Sequence, residues 1–232
     1  MSRTERLLVV FTRCNAPAAL EGWAAWYDDV HLPALIAEGA DVITRFELTQ
    51  QPVPGMPSIG FSHVAFHEYR GADADERLDA SLRFCDELAL ASQLHPNHSL
   101  IAVDVLAAHG GEKSDPSPEL KGHIMAYVMS NQPARQAEWD RWYDEVHLPD
   151  MMDSGAFCAG SRWRRREPAR HGANDMTLYD VAGCMVEEAV AQSARVMPGI
   201  VAAGRKLDCH VGAMTVTLRP TGAYGGAGLR AR

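Results

Sequence analysis

Trp26-Tyr27-Asp28-Asp29-Val30-His31-Leu32-Pro33 and Trp142-Tyr143-Asp144-Glu145-Val146-His147-Leu148-Pro149 are one motif written twice, 116 residues apart, with a single Asp-to-Glu exchange. The same offset runs without a gap from Leu8/Ile124 to Ala40/Ala156, and along it Asn15/Asn131, Pro17/Pro133, Trp23/Trp139 and Gly39/Gly155 are also identical. A match of that length is not a chance event, and the chain reads as a tandem duplication.

Outward from the motif, each copy has the same order of elements. An apolar strand (7–12; 123–129) ends at Asn-x-Pro, a turn and helix-start signal. In the helix that follows, Trp23, Trp26, Tyr27 and Val30 have the i, i+3, i+4, i+7 spacing of one apolar face, as do Trp139, Trp142, Tyr143 and Val146. Pro33 and Pro149 are expected to stop or kink it. Two strands (42–48 and 62–69; 158–164 and 176–181), a second helix (74–90; 187–205) and a last strand (100–106; 210–218) complete a βαββαβ unit, the ferredoxin-like order. The expected fold is α+β: two such units whose antiparallel sheets, each bare on one face, pack face to face as a dimeric α/β barrel within one chain. The boundaries read as a first repeat over 1–109, a linker over 110–120, a second repeat over 121–220 and a flexible Gly-rich tail over 221–232.

Composition narrows the function. The 232 residues are 47% hydrophobic and 22% charged, enough to bury a sizeable core. A net charge of −8 disfavours nucleic acid and anionic membrane surfaces as partners. The apolar run near the N-terminus is too short for a signal peptide, and no stretch is long enough to span a bilayer, so a cytoplasmic protein is expected. The five cysteines are scattered singly and read as buried small hydrophobes. No phosphate-binding glycine loop or G-x-S-x-G elbow is present, and neither flavin, nicotinamide nor serine hydrolysis is expected.

The twin motif resembles the first-helix motif of EthD-like proteins in the dimeric α/β-barrel superfamily. The resemblance implies a barrel of two sheets, a ligand cavity in each half between sheet and helices, and the motif histidine, His31 or His147, close to it. The superfamily spans cofactor-free isomerases, decarboxylases, cyclases and quinone-forming monooxygenases as well as haem-binding members, so the resemblance leaves the reaction open.

On a regular helix Asp28 and His31 are i, i+3 neighbours and Tyr27 and His31 are i, i+4 neighbours, as are Asp144, Tyr143 and His147. A carboxylate and the helix C-terminus beside an imidazole favour its protonated form, which would serve as general acid/base with Asp as orienter and Tyr as hydrogen-bond donor. Trp23 and Trp26 are candidates for the cavity wall. So are His63 and His67, which share a strand face with Phe61, Ala65 and Tyr69. Arg162, in the run Arg162, Arg164, Arg165, Arg166, is a candidate for a substrate carboxylate or phosphate. Plainer alternatives are packing for the Trp and Tyr stripe, capping for Asp28 and His31, and a solvated edge for the arginines. His63 and His67, roughly 13 Å apart on a strand, cannot share a metal, and no metal is expected.

The resulting expectation is a cofactor-independent lyase or isomerase of a small hydrophobic oxygenated ring compound. A cofactor-free monooxygenase and a non-catalytic small-molecule binder are the alternatives, with haem binding as a further one. The first copy is favoured as the working half because His63 and His67 add imidazoles there. The intrachain pseudo-dimer leaves room for a further homodimer.

Overall fold

The computed structural model describes residues 3–49, 60–115, 119–170 and 172–225. It divides into two compact units: Met1–Glu47, Ile59–Ala107 and Pro220–Arg232 form unit 1, and Leu48–Ser58 and Ala108–Arg219 form unit 2. These differ from the repeats drawn on the sequence, because the last strand of each repeat runs past its expected end.

In unit 1, β1 (Thr4–Cys14) leads through a short turn at Pro17–Ala19 into α1 (Leu20–Trp26), a π-helical turn (Tyr27–His31) and α2 (Leu32–Ala37). Then come β2 (Val42–Leu48), β3 (His63–Arg70), α3 (Ala74–Leu90) and β4 (His98–Glu112). The strands pair antiparallel in the order β4-β1-β3-β2. Unit 2 repeats the series: β5 (Gly122–Ser130), α4 (Gln136–Trp142), a π-helical turn (Tyr143–His147), α5 (Leu148–Asp153), β6 (Ala159–Arg165), β7 (Asp175–Val181), α6 (Val186–Ala202) and β8 (His210–Gly225). Its order is β8-β5-β7-β6, again antiparallel. The fold is α+β with eight antiparallel strands among the described residues.

Two expected boundaries need correction. Residues 110–112, read as linker, are the end of β4, and 221–225, read as a flexible tail, are the end of β8. Both ends keep strand geometry despite their glycines: within unit 1 the Thr221 hydroxyl donates to the Arg45 carbonyl, and within unit 2 a Cβ at Gly111 would meet the Gly160 carbonyl. The remaining tail, 226–232, and linker residues 116–118 lie outside the described residues.

The first helix also departs from a regular period. Leu32 N–H bonds to the Tyr27 carbonyl, five residues back, and Leu148 N–H does the same to Tyr143. Proline in an α-helix clashes with the carbonyl four residues earlier. The wider turn removes that clash, and Pro33 falls in the first turn of α2, where its missing N–H costs nothing. The helix therefore continues through Pro33 and Pro149 and does not stop there. The extra residue also rotates the buried face. Trp23 and Tyr27 are buried, but Val30 is 58% exposed, and His31, Leu32 and Leu35 take the inward positions.

Each helix face packs on one side of its own sheet. In unit 1 the core joins Leu8, Val10, Trp23, Tyr27, Leu35, Ile43, Ala65, Tyr69 and Leu78. In unit 2 it joins Ile124, Ala126, Trp139, Tyr143, Met151, Phe157, Tyr179 and Val186. Truncating either buried tryptophan to alanine costs roughly 3–5 kcal/mol.

Candidate active site

The π turn decides where the motif side chains go. Such turns occur as single insertions in α-helices and concentrate at functional sites. Tyr143 and His147 meet edge to face at 4.7 Å between ring centroids, and Trp142 stacks on His147 at 5.0 Å. Tyr27, His31 and Trp26 repeat this in unit 1 at 5.0 and 4.9 Å.

A further histidine, absent from the sequence reading, completes each cluster. His210, first residue of β8, lies 5.3 Å from His147 between ring centroids, and His98, first residue of β4, lies 6.0 Å from His31. Both accept a hydrogen bond at Nδ1 from a tryptophan: Trp139 Nε1–H to His210, and Trp23 Nε1–H to His98, each 3.2 Å. These two histidines are 112 residues apart, so a search at the fixed offset of 116 passes over them.

The motif carboxylates do not orient the histidines. Asp28 pairs with Arg45, and Asp144 pairs with Arg162 at 2.7 Å. Arg45 and Arg162 hold corresponding places on β2 and β6, opposite Ala65 and Thr177, and their guanidinium groups lie over the rings of Tyr27 and Tyr143 at 5.3 and 4.6 Å. Burial raises the Asp28 carboxyl, with Arg45 opposing. With the motif carboxylate turned away, the cost of burying an imidazolium prevails, and Asp150 offsets it only in part at His147. Burial, aided by His210, lowers His147 to about 3, and burial with Lys206 nearby lowers His210 to about 4. His31 falls to about 4 through burial and His98. The expected protonated histidine is thus overturned: these imidazoles are neutral at pH 7. Burial also raises Tyr27 and Tyr143, which keep their protons.

The other expected residues divide. His63 packs on the Trp23 ring at 4.9 Å, and burial with Arg45 lowers it to about 4. His67 is only 1% exposed, and burial with His31 lowers it to about 3. Arg162 is not free to hold a substrate anion. It is 1% exposed and holds Asp140 at 2.9 Å as well as Asp144, with Arg164 bridging Asp140 and Asp175 at 2.7 Å each. Burial opposes charge on Asp140, yet these two arginines keep its carboxyl below the usual range. His109, Asp140 and Asp175 bring ligand atoms within 4.8 Å of one another. Two guanidinium groups already neutralise that pair of carboxylates, a poor setting for a cation.

In unit 2 a cavity of about 200 Å³ opens between helix and sheet, lined by Trp142, His147, Met197, Ile200, Lys206, His210 and Gly212. Gly212 pairs with Val128, the position at which Leu100 pairs with Thr12 in unit 1. A Cβ at Gly212 would meet nothing within 4 Å, so this glycine leaves space that a leucine side chain would enter. The volume suits a compound of one or two rings. It falls below the roughly 300–1,000 Å³ of ordinary cofactor and drug-sized pockets.

Among the described residues no helix is long and apolar enough to cross a membrane. No family model and no curated protein matches the sequence. Solved structures do share the fold. A Fusobacterium nucleatum protein provisionally assigned as a monooxygenase superposes with a TM-score of 0.59 at 12% identity, covering 100% of this chain and 99% of that one. An anthrone oxidase-like protein gives 0.58 at 12%, with 100% and 99% covered. A variant of the chlorite dismutase from Candidatus Nitrospira defluvii gives 0.56 at 8%, with 95% and 93% covered. At such identities the likeness shows the fold alone.

Proposed function

We propose that the chain is a cofactor-independent enzyme of EthD-like type that admits a small hydrophobic oxygenated ring compound to the His147 cavity and removes a proton from it. The observation carrying this reading is the neutral imidazole of His147 in one cavity with Lys206, His210, Gly212 and the apolar side chains of Trp142, Met197 and Ile200. Taking a lone proton from water into this cavity is costly. Taking it from a bound ring compound creates an imidazolium and an enolate or phenolate together, and Lys206 offsets the charge on the oxygen.

Unit 2 is favoured over unit 1 for this chemistry, reversing the preference drawn from His63 and His67. His67 is sealed in the core, whereas His147 borders open space. The lyase or isomerase expectation relied on an imidazolium already in place. His147 begins without its proton, so abstraction comes first, and return of that proton to another ring atom is isomerisation. The second route is oxygenation. The anion meets O2, a ring methylene loses two hydrogens and gains one oxygen as a carbonyl, and the other oxygen leaves as water. The names carried by the F. nucleatum and anthrone oxidase-like neighbours favour testing this route first.

The test uses 2-tetralone, a two-ring ketone with an acidified benzylic methylene. In D2O under argon the protein should accelerate deuterium exchange at that methylene, and His147→Ala should reduce the acceleration at least a hundredfold. Under air, oxygen uptake equal to diketone formed identifies the oxygenation route. Exchange that survives His147→Ala undiminished sinks the proposal, and tight binding without exchange makes the protein a carrier.

A further inference from the structure

We infer that Trp139 is a positioning residue that locks His210 into the tautomer bearing its proton on Nε2, making His210 a fixed hydrogen-bond donor to the substrate oxygen in the unit 2 cavity. This assignment deepens the function proposed above and rests on it for the identity of the acceptor.

The argument runs from the donor inventory. Indole Nε1–H donates and never accepts, whereas a neutral imidazole donates through one nitrogen and accepts through the other. The 3.2 Å bond from Trp139 Nε1–H ends on His210 Nδ1, so Nδ1 carries the lone pair and Nε2 carries the hydrogen. Trp139 is fully buried and Arg162 stacks over its ring at 5.2 Å, which fixes the indole against rotation. The same bond, with the same length, joins Trp23 to His98 in unit 1, so it is a property of the repeated framework. His210 lines the cavity beside Lys206. The roles of two imidazoles 5.3 Å apart then separate: His147, with no tryptophan on its nitrogens, takes the proton, and His210 holds the oxygen that becomes negative. A neutral imidazole donor gives a stable hydrogen bond without surrendering its proton, and such a preset donor acts on the charge that develops. Without the indole N–H the imidazole would populate both tautomers, and a share of its encounters would present a lone pair to the forming oxyanion.

The experiment needs no knowledge of the natural substrate. Histidine-labelled ¹⁵N NMR of the intact protein at pH 7, assigned with His210→Gln, should show His210 Nε2 as protonated and Nδ1 as an acceptor nitrogen. Trp139→Phe should move both signals toward tautomer averaging. With 4-nitrophenol as the oxyanion probe, the wild-type protein should bind the phenolate in preference to the phenol, and Trp139→Phe should weaken phenolate binding about tenfold with phenol binding little changed. A wild-type His210 protonated on Nδ1, or tautomer signals unmoved by Trp139→Phe, overturns the assignment. Because the NMR reading on the wild-type protein decides it, a poorly folded variant does not. The outcome is also separable from the fate of His147: a correct tautomer with exchange untouched by His147→Ala refutes the proposed reaction and leaves the positioning role intact.

Discussion

His67 on β3 and Tyr179 on β7 stand at the same register position, opposite Leu8 and Ile124, yet only Tyr179 is hydrogen-bonded. Tyr179 Oη lies 3.2 Å from Tyr143 Oη, which accepts from Thr177 Oγ1 at 2.8 Å. In unit 1 the matching residues are Tyr27, Ala65 and His67, and neither ring nitrogen of the buried His67 has a hydrogen-bond partner among the described residues.

An unsatisfied buried polar group costs about 1–3 kcal/mol. The double substitution Ala65→Thr with His67→Tyr writes the unit 2 network into unit 1 and should raise Tm by several degrees, at about 2–4 °C per kcal/mol for a chain of this size. Calorimetry of the single and double variants checks it, and a Tm below wild type in all three would show that unit 1 lacks room for the network.

Stability should fall on acidification well before the carboxylates titrate. His31, His67 and His147 are at least nine-tenths buried and have folded-state values of about 4, 3 and 3, all lowered from 6.5 by burial first. The unfolded chain thus binds protons between pH 6.5 and about 4 that the folded chain refuses. Stability is fully present above 6.5 and drops by roughly 1.4 kcal/mol per pH unit for each such group below it. Urea midpoints at pH 7.5, 6 and 5 measure the slope, and a flat profile would contradict the burial of neutral imidazoles.

The pH dependence of turnover should differ from that of an ordinary histidine enzyme. A base with a value of about 3 stays neutral through mild acid, so kcat/KM for 2-tetralone should hold level from pH 7.5 to about 5 wherever the protein remains folded. A loss centred near pH 6.5 would mean that an unperturbed imidazole is the base.

Gly212→Leu places in unit 2 the residue that unit 1 has at that position. Since a Cβ there touches nothing, the fold should tolerate it with Tm within about 1–2 °C of wild type. The cavity shrinks by most of a leucine side chain, so binding of 4-nitrophenol should weaken at least tenfold. Unchanged binding would place the ligand elsewhere.

Arg162→Ala removes the buried cation shared by Asp140 and Asp144 and should cost about 1–3 kcal/mol, because these carboxylates, 22% and 45% exposed, lose one partner while Arg164 stays on Asp140. Adding Asp144→Asn should recover part of the loss in denaturant titrations. A neutral single variant would show that solvent already screens the cluster.

The sequence by itself determined the element order and, in Trp23, Tyr27, Trp139 and Tyr143, part of the helix core. The motif, its 116-residue offset and the alternation of apolar residues are local properties, and local hydrogen-bonding periods turn them into strands and helices. It also marked His31 and His147, since polar groups on an apolar helix need a reason to be buried. What it could not carry was the π turn, because one inserted residue in the hydrogen-bond ladder leaves no compositional trace yet turns Val30 outward and carries Asp28 and Asp144 toward arginines on β2 and β6. Nor could it pair Trp139 with His210 or set Lys206 and Gly212 beside His147, since those residues are 59 to 71 positions apart and meet only when β8 docks beside β5. Charge state followed the same division. Sequence neighbours suggested a protonated histidine, and tertiary burial, by removing water and sending the carboxylate elsewhere, decided for a neutral one.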